Sequence, residues 1–515
     1  MTGPPTRLEE TGLLRGALSR PWIWDALTAV VSGLLALYIV HVYYPGRANV
    51  DIASQARQAL GEEPYSDWHP PLIAAMWEVL IDLTGEIGSL LVVQVGMLFL
   101  AAWLLAVLLH RRTGRRPLSL LGVALPLLPW ALSQIGMLWK DTQMAVALLL
   151  AVILLFLVRP ERRLSLLLLV PSGLLLLFAI GARKNAVFAI VPIAVYIAWL
   201  VLHALFRPRS TRLDAAPGAD AVPDAAGPTP AVGTDGAEPG GSSPLPRFAA
   251  RRGLALAGAS LAVLAVLGAG TVGIDRVLVA TKDVQSTGQV SQIMLDDVMF
   301  SVPEPELRAA DAPDELKERI SGARDVCIEM GEIWDAYWNC YGRGIGGKGF
   351  APIEHREELT SLWLQTVPTH PVRYFEYRMA VFSYYFFTSS VEYWPMEWRV
   401  EAETVGLGEG SRNGDYLIRP YIEDFALGTF PMLFKPWFWF VGAVVCLALL
   451  PRLRAFRAEI AMLSTSALCY ILGYIPIVPA NHFRYTYWPA LAVTAALVLV
   501  LAAWRTRRSA PLRTP

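Results

Sequence analysis

Apolar residues in this chain fall into long runs separated by short polar stretches. An α-helix needs roughly 20 mostly apolar residues to cross a bilayer core of about 30 Å, and ten runs come close to that length. They cover residues 22–42, 87–109, 118–138, 142–158, 164–181, 186–206, 254–274, 432–450, 458–478 and 486–504. The pattern predicts an all-α polytopic membrane protein with about ten transmembrane helices. The first run is too long for a removable signal peptide and lacks a small-residue cleavage site.

Basic residues cluster on one side of these predicted spans. Groups of arginines precede the first run and follow the second, fourth, sixth, eighth and tenth runs. Cytoplasmic loops are enriched in Lys and Arg, so these loops and both termini are predicted to be cytoplasmic. The remaining loops are then predicted to lie on the outer side of the cell membrane.

Two long stretches between the runs divide the chain. The first contains the Ala/Pro/Gly-rich segment 213–246, which is typical of a disordered linker. The second has helix-like patterning and includes 374–391, an aromatic segment that we interpret as an interfacial helix, with a buried span as the alternative. The predicted division is 1–206 (N-terminal membrane module with the site-bearing outer loops), 207–253 (cytoplasmic linker), 254–274 (one span), 275–430 (α-rich extracytoplasmic segment) and 431–515 (C-terminal spans and a short cytoplasmic tail).

Composition supports a membrane protein and excludes other classes. Of 515 residues, 54% are hydrophobic and only 17% are charged, against about 25% charged in soluble proteins. A secreted soluble enzyme, a coiled coil and a disordered protein are therefore excluded. Forty-four basic and 44 acidic residues give a formal net charge of zero, so nothing favours a nucleic-acid partner.

The four cysteines are too few and too scattered for a disulfide scaffold, and no pair has the spacing of zinc ligands. Cys327 and Cys340 both lie in the predicted outer segment, where an oxidising compartment permits a disulfide. Cys446 and Cys469 lie in predicted spans and are interpreted as packing residues.

Polar residues that exceed the needs of a solvated loop fall on the predicted outer side, near the ends of spans. Ionisable groups near membrane depth are costly, so they are candidates for function. The first outer loop carries Asp51, Gln55, Asp67, Trp68 and His69, the second carries Lys140 and Asp141, the third carries Arg183, Lys184 and Asn185, and the last carries His482 and Arg484.

Several of these residues also have a structural interpretation when taken alone. Asp51 can cap a helix that begins at Ile52. His69 can simply precede a helix that starts at the two prolines after it. Lys140 and Asp141 can form an ion pair at the tip of a hairpin.

The cations of the third and last outer loops have structural alternatives too. Arg183 and Lys184 can be interfacial side chains whose charged ends reach water, although they lie on the side where basic residues should be scarce. Arg484 can be an interfacial anchor with cation–π contacts. Together on one predicted surface, these residues are more easily explained by a site than by separate structural roles.

Taken in order, these motifs resemble those of the membrane-embedded GT-C glycosyltransferases, and more narrowly the bacterial branch related to the protein O-mannosyltransferases, arabinosyltransferases and lipid A aminoarabinose transferases. The matching pieces are Asp51 in the first outer loop, Trp68-His69-Pro70-Pro71, Lys140-Asp141, Arg183-Lys184-Asn185, and Arg484-Tyr485 with Tyr487. The resemblance covers residues 22–206 well. It covers 254–504 only by layout and by pieces such as His370-Pro371-Val-Arg-Tyr374.

Two departures from the family pattern bear on metal binding. Many members carry two adjacent acids in the first loop, whereas Asp51 lies between Val50 and Ile52. The second-loop acid appears only as Asp141, next to Lys140. If a divalent cation (Mg²⁺ or Mn²⁺) is bound, Asp51 and Asp141 are its predicted ligands. The sequence leaves metal dependence open and predicts no other cofactor.

The resemblance implies transfer of a sugar from a polyprenyl-phosphate donor to a glycan, protein or lipid acceptor at the outer face of the membrane, with membrane lipid as the surrounding partner. The residue types suit this reaction. Asp51 is the predicted general base, with Asp67 as the alternate. Cations stabilise a phosphate leaving group, and other side chains can bind the sugar. The predicted phosphate-binding residues are Lys140, Arg183, Lys184 and Arg484, and the predicted sugar-binding residues are Gln55, Trp68, His69, Asn185 and His482.

Three other functions compete with this one. A lipid-linked glycan transporter would place charges in the middle of its spans, whereas most span interiors here carry none. An O-antigen-type polymerase or ligase would also have outer arginines and a large outer segment, but the first-loop acid followed by Trp-His-Pro-Pro favours the GT-C interpretation. A non-catalytic scaffold would leave the loop carboxylates and cations unexplained.

Overall fold

The computed structural model describes residues 20–206, 245–288, 290–342, 344, 351–388, 399–478 and 480–507. This part of the chain is α-helical and contains no β-strand. Most of the predicted linker 207–253 and the tail after residue 507 lie outside the described residues. The end of the linker is described, and there the predicted disorder is wrong, because a helix begins at Leu245 and runs through to Lys282.

Nineteen α-helices, numbered in chain order, are found among the described residues. The N-terminal part contains α1 (Pro21–Tyr43), α2 (Val50–Ala59), α3 (Pro71–Thr84), α4 (Ser89–Thr113), α5 (Arg116–Ala124), α6 (Pro129–Ile135), α7 (Lys140–Leu157), α8 (Leu169–Ala182) and α9 (Ala186–Phe206). The rest contains α10 (Leu245–Lys282), α11 (Val290–Ser301), α12 (Glu304–Ala309), α13 (Asp314–Met330), α14 (Arg356–Thr366), α15 (Pro371–Phe387), α16 (Arg399–Thr404), α17 (Pro436–Leu449), α18 (Arg457–Leu472) and α19 (Tyr487–Arg507). Short 3₁₀ and π-helical turns connect several of them.

Seven helical segments of the described chain are long and apolar enough to cross a membrane. They are Pro21–Tyr43, Ser89–Thr113, Lys140–Leu157, Arg163–Ala182, Ala186–Phe206, Gly253–Lys282 and Phe483–Thr506. An eighth arises if Arg116–Leu127 and Pro129–Ile135, which meet at a bend of 44°, form one broken span. The protein is therefore an all-α polytopic membrane protein. The remaining two predicted spans are shorter helices, Pro436–Arg452 and Arg457–Leu472, so the count of ten stays a prediction.

Helix α7 occupies the centre of the membrane part. Its 18 residues are apolar on all sides after the first turn, and nearly all are buried, as expected for a helix surrounded by other helices. It contacts α4, α8 and α19. By contrast, α1 and α10 expose most of their apolar side chains, as expected for helices that face lipid. The first turn of α7 is thus held at a fixed position within the bundle.

A second, smaller core lies in the segment after α10. Helices α11, α13 and α14 enclose buried side chains that include Leu295, Ile320 and Leu362. A disulfide between Cys327 and Cys340 joins α13 to the π-helical turn Tyr337–Tyr341, a pairing that the sequence permitted but left open. We call residues 290–366 the small helical domain.

The predicted interfacial segment 374–391 corresponds to α15 as far as the described residues reach. With 17 residues, α15 is shorter than the roughly 20 needed for a span. The hydroxyl of Tyr385 donates to the backbone oxygen of Tyr485 at 3.3 Å, and Val372 and Phe375 are exposed. Its position at the membrane interface stays a prediction.

Residues 282–288 lead from α10 into the small helical domain. They form hydrogen bonds and an ion pair with α3 and with the loop between α2 and α3. We call this segment the connector. Lys282 pairs with Glu78 of α3 at 2.6 Å, and the backbone N–H of Asp67 donates to the carbonyl of Gln285 at 3.0 Å. The Asp67 carboxylate accepts hydrogen bonds from the backbone N–H and hydroxyl of Thr287. These contacts hold the small helical domain against the first loop.

The disulfide generates a prediction on stability and compartment. In a Cys327→Ser/Cys340→Ser variant, the small helical domain should lose about 3 kcal/mol of stability, because the unfolded state regains the freedom of the loop that the disulfide closes. The measurement is the midpoint of thermal unfolding together with the rate of limited proteolysis.

Cysteine alkylation gives an independent check in a chain whose other cysteines, Cys446 and Cys469, are replaced by serine. Because Cys327 and Cys340 are buried, the protein is denatured before labelling, and both should react with a maleimide only if a reductant was added. Labelling of either residue in the denatured, unreduced protein would contradict the disulfide and, with it, an oxidising compartment for this domain.

Candidate functional site

Two loops that are far apart in sequence are joined beside the start of α7. The backbone of Arg47 donates to Gly136 at 2.9 Å and accepts from Leu138 at 3.1 Å. The side-chain amide of Gln94 in α4 donates to two carbonyls of the same loop, those of Ile135 and Met137, at 2.8 and 3.0 Å. As a result, the N-terminal ends of α2 and α7 lie side by side.

Asp51 lies in the first turn of α2 but does not cap it. The cap is Asn49, whose side-chain oxygen accepts from the backbone N–H of Ile52 at 3.1 Å. The interpretation of Asp51 as the helix cap is therefore wrong. Its carboxylate is about a quarter exposed and lines a cavity.

His69 links Asp51 to Lys140. Pro71 begins α3 directly after Pro70, so the helix-start interpretation is correct, yet His69 itself is buried at the cavity. Its Nδ1 lies 2.8 Å from the Lys140 Nζ, and its Nε2 lies 3.8 Å from the Asp51 Oδ1. When Lys140 is protonated, its ammonium group only donates hydrogen bonds; Nδ1 is then the acceptor, and the ring proton is on Nε2, which faces Asp51.

Asp141 has a different partner from its neighbour Lys140. Its fully buried carboxylate lies 2.8 Å from the Nε of Arg183. The hairpin ion pair between Lys140 and Asp141 is therefore wrong. The Arg183 guanidinium also lies over the ring of Tyr485, with its Cζ 5.0 Å from the ring centroid.

Arg484 completes the cluster from the turn before α19. Its Nη1 lies 4.0 Å from the Asp51 Oδ2, and its Cζ lies 3.9 Å from the centroid of the Trp139 ring. Its Nη2 donates to the Tyr485 hydroxyl at 3.1 Å. The predicted cation–π contacts are confirmed, the role as an interfacial anchor stays a prediction, and the same guanidinium faces the carboxylate of Asp51.

These side chains line one cavity of about 300 Å³. Nine of the eleven predicted site residues contribute to its wall. They are Asp51, Trp68, His69, Lys140, Arg183, Lys184, Asn185, His482 and Arg484. The sequence therefore identified most of the residues that converge here.

The other two predicted site residues, Gln55 and Asp141, do not line the cavity. Gln55 is buried one turn further along α2, where its amide donates to the backbone oxygen of Asp51 at 3.1 Å. Asp141 is turned towards Arg183. Both residues pack behind the cavity wall. The predicted contact of Gln55 with the sugar is therefore not supported, because Gln55 does not reach the cavity.

Lys184 and Asn185 occupy the rim with partners of their own. The Lys184 ammonium lies 2.6 Å from the carboxylate of Asp275 in α10, and its side chain is half exposed. The Asn185 amide lies 3.5 Å from the Tyr470 hydroxyl. Asp67, the alternate base, is engaged by Thr287 and does not line the cavity, which favours Asp51.

The sequence predicts that the Trp- and Tyr-rich segment 275–430 covers the site, but it did not identify which residues of the small helical domain form this wall. Asp335 and Trp338 line the cavity, and the Asp335 Oδ2 lies 3.9 Å from the Nε2 of His482. Both are far from the other site residues in sequence, and only the folded structure brings them there. The abundance of Trp and Tyr in segment 275–430 was the only feature of the sequence that pointed to this part of the wall.

The cluster determines the charge of its central groups. Burial would raise the pKa of Asp51, but His69, Arg484 and Lys140 and a hydrogen bond from Asn49 lower it below the usual 3.8. Burial is the largest effect on the imidazole, and with the charge of Lys140 it lowers the pKa of His69 to about 3. At neutral pH, Asp51 is therefore ionised and His69 is neutral.

The divalent-cation site stays a prediction. Its two proposed ligands face different directions, because Asp51 lines the cavity while Asp141 pairs with Arg183. Within the described ranges, no group of three or more His, Cys, Asp or Glu side chains is placed to hold a metal ion. We therefore derive no step that passes through a metal.

Comparison with known proteins gives no relative for this chain. No family model, no curated protein and no solved structure matches it. Any function must therefore be argued from the geometry of the cavity and from the motifs that form it.

The buried Asp141–Arg183 pair yields a prediction on stability. Asp141→Asn should cost about 3–5 kcal/mol, because the Arg183 charge keeps its desolvation penalty and loses its partner. Arg183→Met should also destabilise, and the double variant should lose less than the sum of the two. Thermal unfolding midpoints in detergent would measure this coupling.

The Lys184–Asp275 pair is a matched control, since it joins the same region of the chain but is half exposed. Lys184→Met should cost at most about 1 kcal/mol. Equal losses for the two pairs, or simple additivity at Asp141 and Arg183, would contradict the assignment of a buried ion pair.

Proposed function

We propose that this protein is a membrane glycosyltransferase that moves a sugar from a polyprenyl-phosphate donor to an acceptor of the cell envelope. The observation that carries the proposal is the convergence of Asp51, Lys140, Arg183 and Arg484 on one cavity beside the ends of membrane helices. A carboxylate facing several cations suits the transfer of a group from a phosphate leaving group to a hydroxyl.

The cations would bind the donor phosphate. Fixed cations in a poorly solvated site stabilise the negative charge that a phosphate gains as it leaves. Arginine suits two-point contact with phosphate oxygens, and lysine acts as a point charge. We assign Lys140, Arg183 and Arg484 to this role, and Lys184 to a weaker one at the rim because Asp275 already engages it.

The start of α7 adds to the same attraction. Backbone N–H groups at a helix N-terminus favour an anion, and Lys140 is the first residue of this 18-residue helix. Among the described lining residues, four cations (Lys140, Arg183, Lys184 and Arg484) face two carboxylates (Asp51 and Asp335). Behind this lining, Asp141 pairs with Arg183 and Asp275 pairs with Lys184, so the four cations are balanced by four carboxylates. Lys140 and Arg484 are therefore the cations beside Asp51 that a donor phosphate would contact most directly.

Asp51 would act as the general base. The acceptor oxygen forms a bond to the anomeric carbon while the bond from that carbon to the phosphate oxygen breaks. The electron pair of the broken bond leaves with the polyprenyl phosphate, and the acceptor proton passes to the Asp51 carboxylate. Because nearby cations keep Asp51 ionised, it is ready to accept that proton at neutral pH.

The remaining wall residues would position the sugar. His69 is neutral, accepts from Lys140 and fixes the direction of its ammonium, while Trp68 offers a ring face to a pyranose. Asn185 and His482 offer polar atoms for sugar hydroxyls.

We place this chemistry on the outer face of the cell membrane, with both termini in the cytoplasm. The Cys327–Cys340 disulfide supports this orientation, because disulfides persist in oxidising compartments. The distribution of arginines in the sequence supports it independently.

The position of the charges favours transfer over transport. Asp51, Lys140, Arg183 and Arg484 lie at helix ends and in loops, whereas transport sites are formed at mid-membrane by broken helices. A polymerase or ligase would use the same donor class, and the length of the transferred glycan distinguishes it: one sugar per turnover supports the transferase proposed here.

The central prediction concerns Asp51. Asp51→Asn should lower the rate of sugar transfer by about 10²–10⁴-fold, because the amide cannot accept the acceptor proton. Its thermal stability should fall less than that of Asp141→Asn, because the Asp51 carboxylate is about a quarter exposed. The assay is transfer of radiolabelled sugar from polyprenyl phosphate in proteoliposomes. Asp82→Asn, at an exposed position of α3, is the matched control, and full activity of Asp51→Asn would remove Asp51 as the base.

A second prediction separates donor from acceptor binding. Lys140→Ala and Arg484→Ala should raise the KM for the lipid donor and lower the transfer rate by about 10²–10³-fold, since both remove charge from the proposed phosphate site. The KM for the acceptor should change little. Arg57→Ala is the control, because Arg57 pairs with Glu63 away from the cavity. A defect confined to the acceptor KM would contradict the phosphate assignment.

The third prediction concerns pH. The ionised form of Asp51 is the active one, so activity is present above its pKa and falls as the pH drops through it, below the usual 3.8. On the acid side of neutrality, down to about pH 5, neither Asp51 nor His69 changes charge, and their contribution to the rate profile should be flat. His69→Gln should move the acid limb towards higher pH, because His69 is one of the groups that lower the pKa of Asp51. An inflection near pH 6.5 that His69→Gln removes would contradict this arrangement.

A further inference from the structure

The cavity has two walls of different origin. The membrane helices and their loops supply the carboxylate of Asp51 and the cations described above. The small helical domain supplies Val290, Gln292, Ile293, Asp335 and Trp338, none of which the proposed donor chemistry uses. This second wall needs its own explanation.

An aromatic surface continues from the first wall into the second. Trp68 of the first loop lies 6.4 Å from Tyr337, ring centroid to ring centroid, and Tyr337 lies 5.5 Å from Trp338 in an edge-on contact. Trp338 remains about one-third exposed at the cavity. The three rings form a row that starts beside His69 and extends into the small helical domain.

Asp335 stands next to this row in a fixed position. Its backbone has a left-handed conformation with φ of +48°, which is uncommon outside glycine although Asp adopts it more readily than most residues. On one side, Trp334 stacks on Tyr384 of α15 at 5.6 Å. On the other side, the turn Tyr337–Tyr341 includes Cys340 and so is closed by the disulfide. The backbone that carries this carboxylate at the cavity is thus anchored on both sides.

The turn before α19 joins this wall to the donor site. His482 lies 3.9 Å from the Asp335 carboxylate, and Arg484, two residues later, faces Asp51 at 4.0 Å. Asp335 and Asp51 therefore flank the same short turn. A molecule held by Asp335 and Trp338 would lie beside the group on which Asp51 acts.

We propose that Trp338 and Asp335 form an acceptor subsite for carbohydrate. A sugar ring would stack its C–H face on Trp338, whose ring face is electron-rich, and its hydroxyls would donate hydrogen bonds to the Asp335 carboxylate. The inference rests on the proposed function and narrows its acceptor, which the sequence left open among glycan, protein and lipid, to a glycan.

The features of the wall favour a sugar over the other two acceptors. An extended peptide is bound by main-chain hydrogen bonds to a strand edge or by an apolar groove, and this wall is made of helices and turns. A lipid acceptor needs an apolar surface for its chain. Val290 and Ile293 give this wall only a small apolar patch. Beside it, Trp338 places an aromatic ring next to the carboxylate of Asp335, and this combination matches a molecule with one apolar face and a hydroxyl edge.

The test uses full-length protein in nanodiscs and a printed array of defined cell-envelope oligosaccharides and Ser/Thr-containing peptides. Wild type should bind at least one class of oligosaccharide. For the best-binding oligosaccharide, Trp338→Ala should raise Kd by at least about tenfold, and Trp338→Phe, which keeps an aromatic face, by less than about threefold. Asp335→Asn should also weaken binding. Phe375→Ala removes an exposed aromatic ring from α15 outside the cavity and should bind as wild type.

Parallel measurements separate this inference from the proposed function. Binding of polyprenyl phosphate to the same nanodiscs should be unchanged in Trp338→Ala and weakened in Lys140→Ala. Oligosaccharide binding that depends on Trp338, without any sugar transfer, would refute the transferase and leave the carbohydrate subsite standing. Sugar transfer whose acceptor KM is unaffected by Trp338→Ala would refute the subsite and leave the transferase. Binding of peptides alone, or of nothing on the array, would overturn the subsite.

Discussion

The charge of Lys140 at the start of a buried helix is the constraint around which the site is arranged. A helix N-terminus carries a partial positive charge, so a lysine there, in the company of Arg183 and Arg484, is unfavourable by itself. Asp51 and Asp141 offset this excess from opposite sides, and His69 accepts a hydrogen bond from the ammonium. The loops that carry these groups are fixed because none of the charges can be buried alone.

Much of the fold could be predicted from hydrophobic periodicity, and the deviations have local causes. All ten apolar runs coincide with helices, because an apolar run at membrane depth has to satisfy its backbone internally. Residues 118–138 became a bent pair since Pro126 and Pro129 interrupt the hydrogen-bond ladder. The helix that begins at Leu245 was not predicted. The linker was identified from its Ala, Pro and Gly content, and amino-acid composition does not define the residue at which a helix begins.

The candidate site shows where sequence reasoning stops. The order of the motifs along the chain identified most of the residues that converge on the cavity. It could not predict which way each side chain points. Lys140 and Asp141 are adjacent in sequence, yet successive residues of a helix point about 100° apart, so one faces the cavity and the other faces Arg183. Asp335 and Trp338 were beyond reach, because only tertiary packing brings the small helical domain to the outer loops.

The connector between α10 and the small helical domain has a consequence for how molecules reach the cavity. The connector contacts α3 and the loop before His69 through Lys282, Gln285 and Thr287. These contacts join the two walls of the cavity and oppose their separation. The connector contacts therefore limit how far the cavity can open. A molecule that enters the cavity would then have to fit an opening whose width these contacts hold.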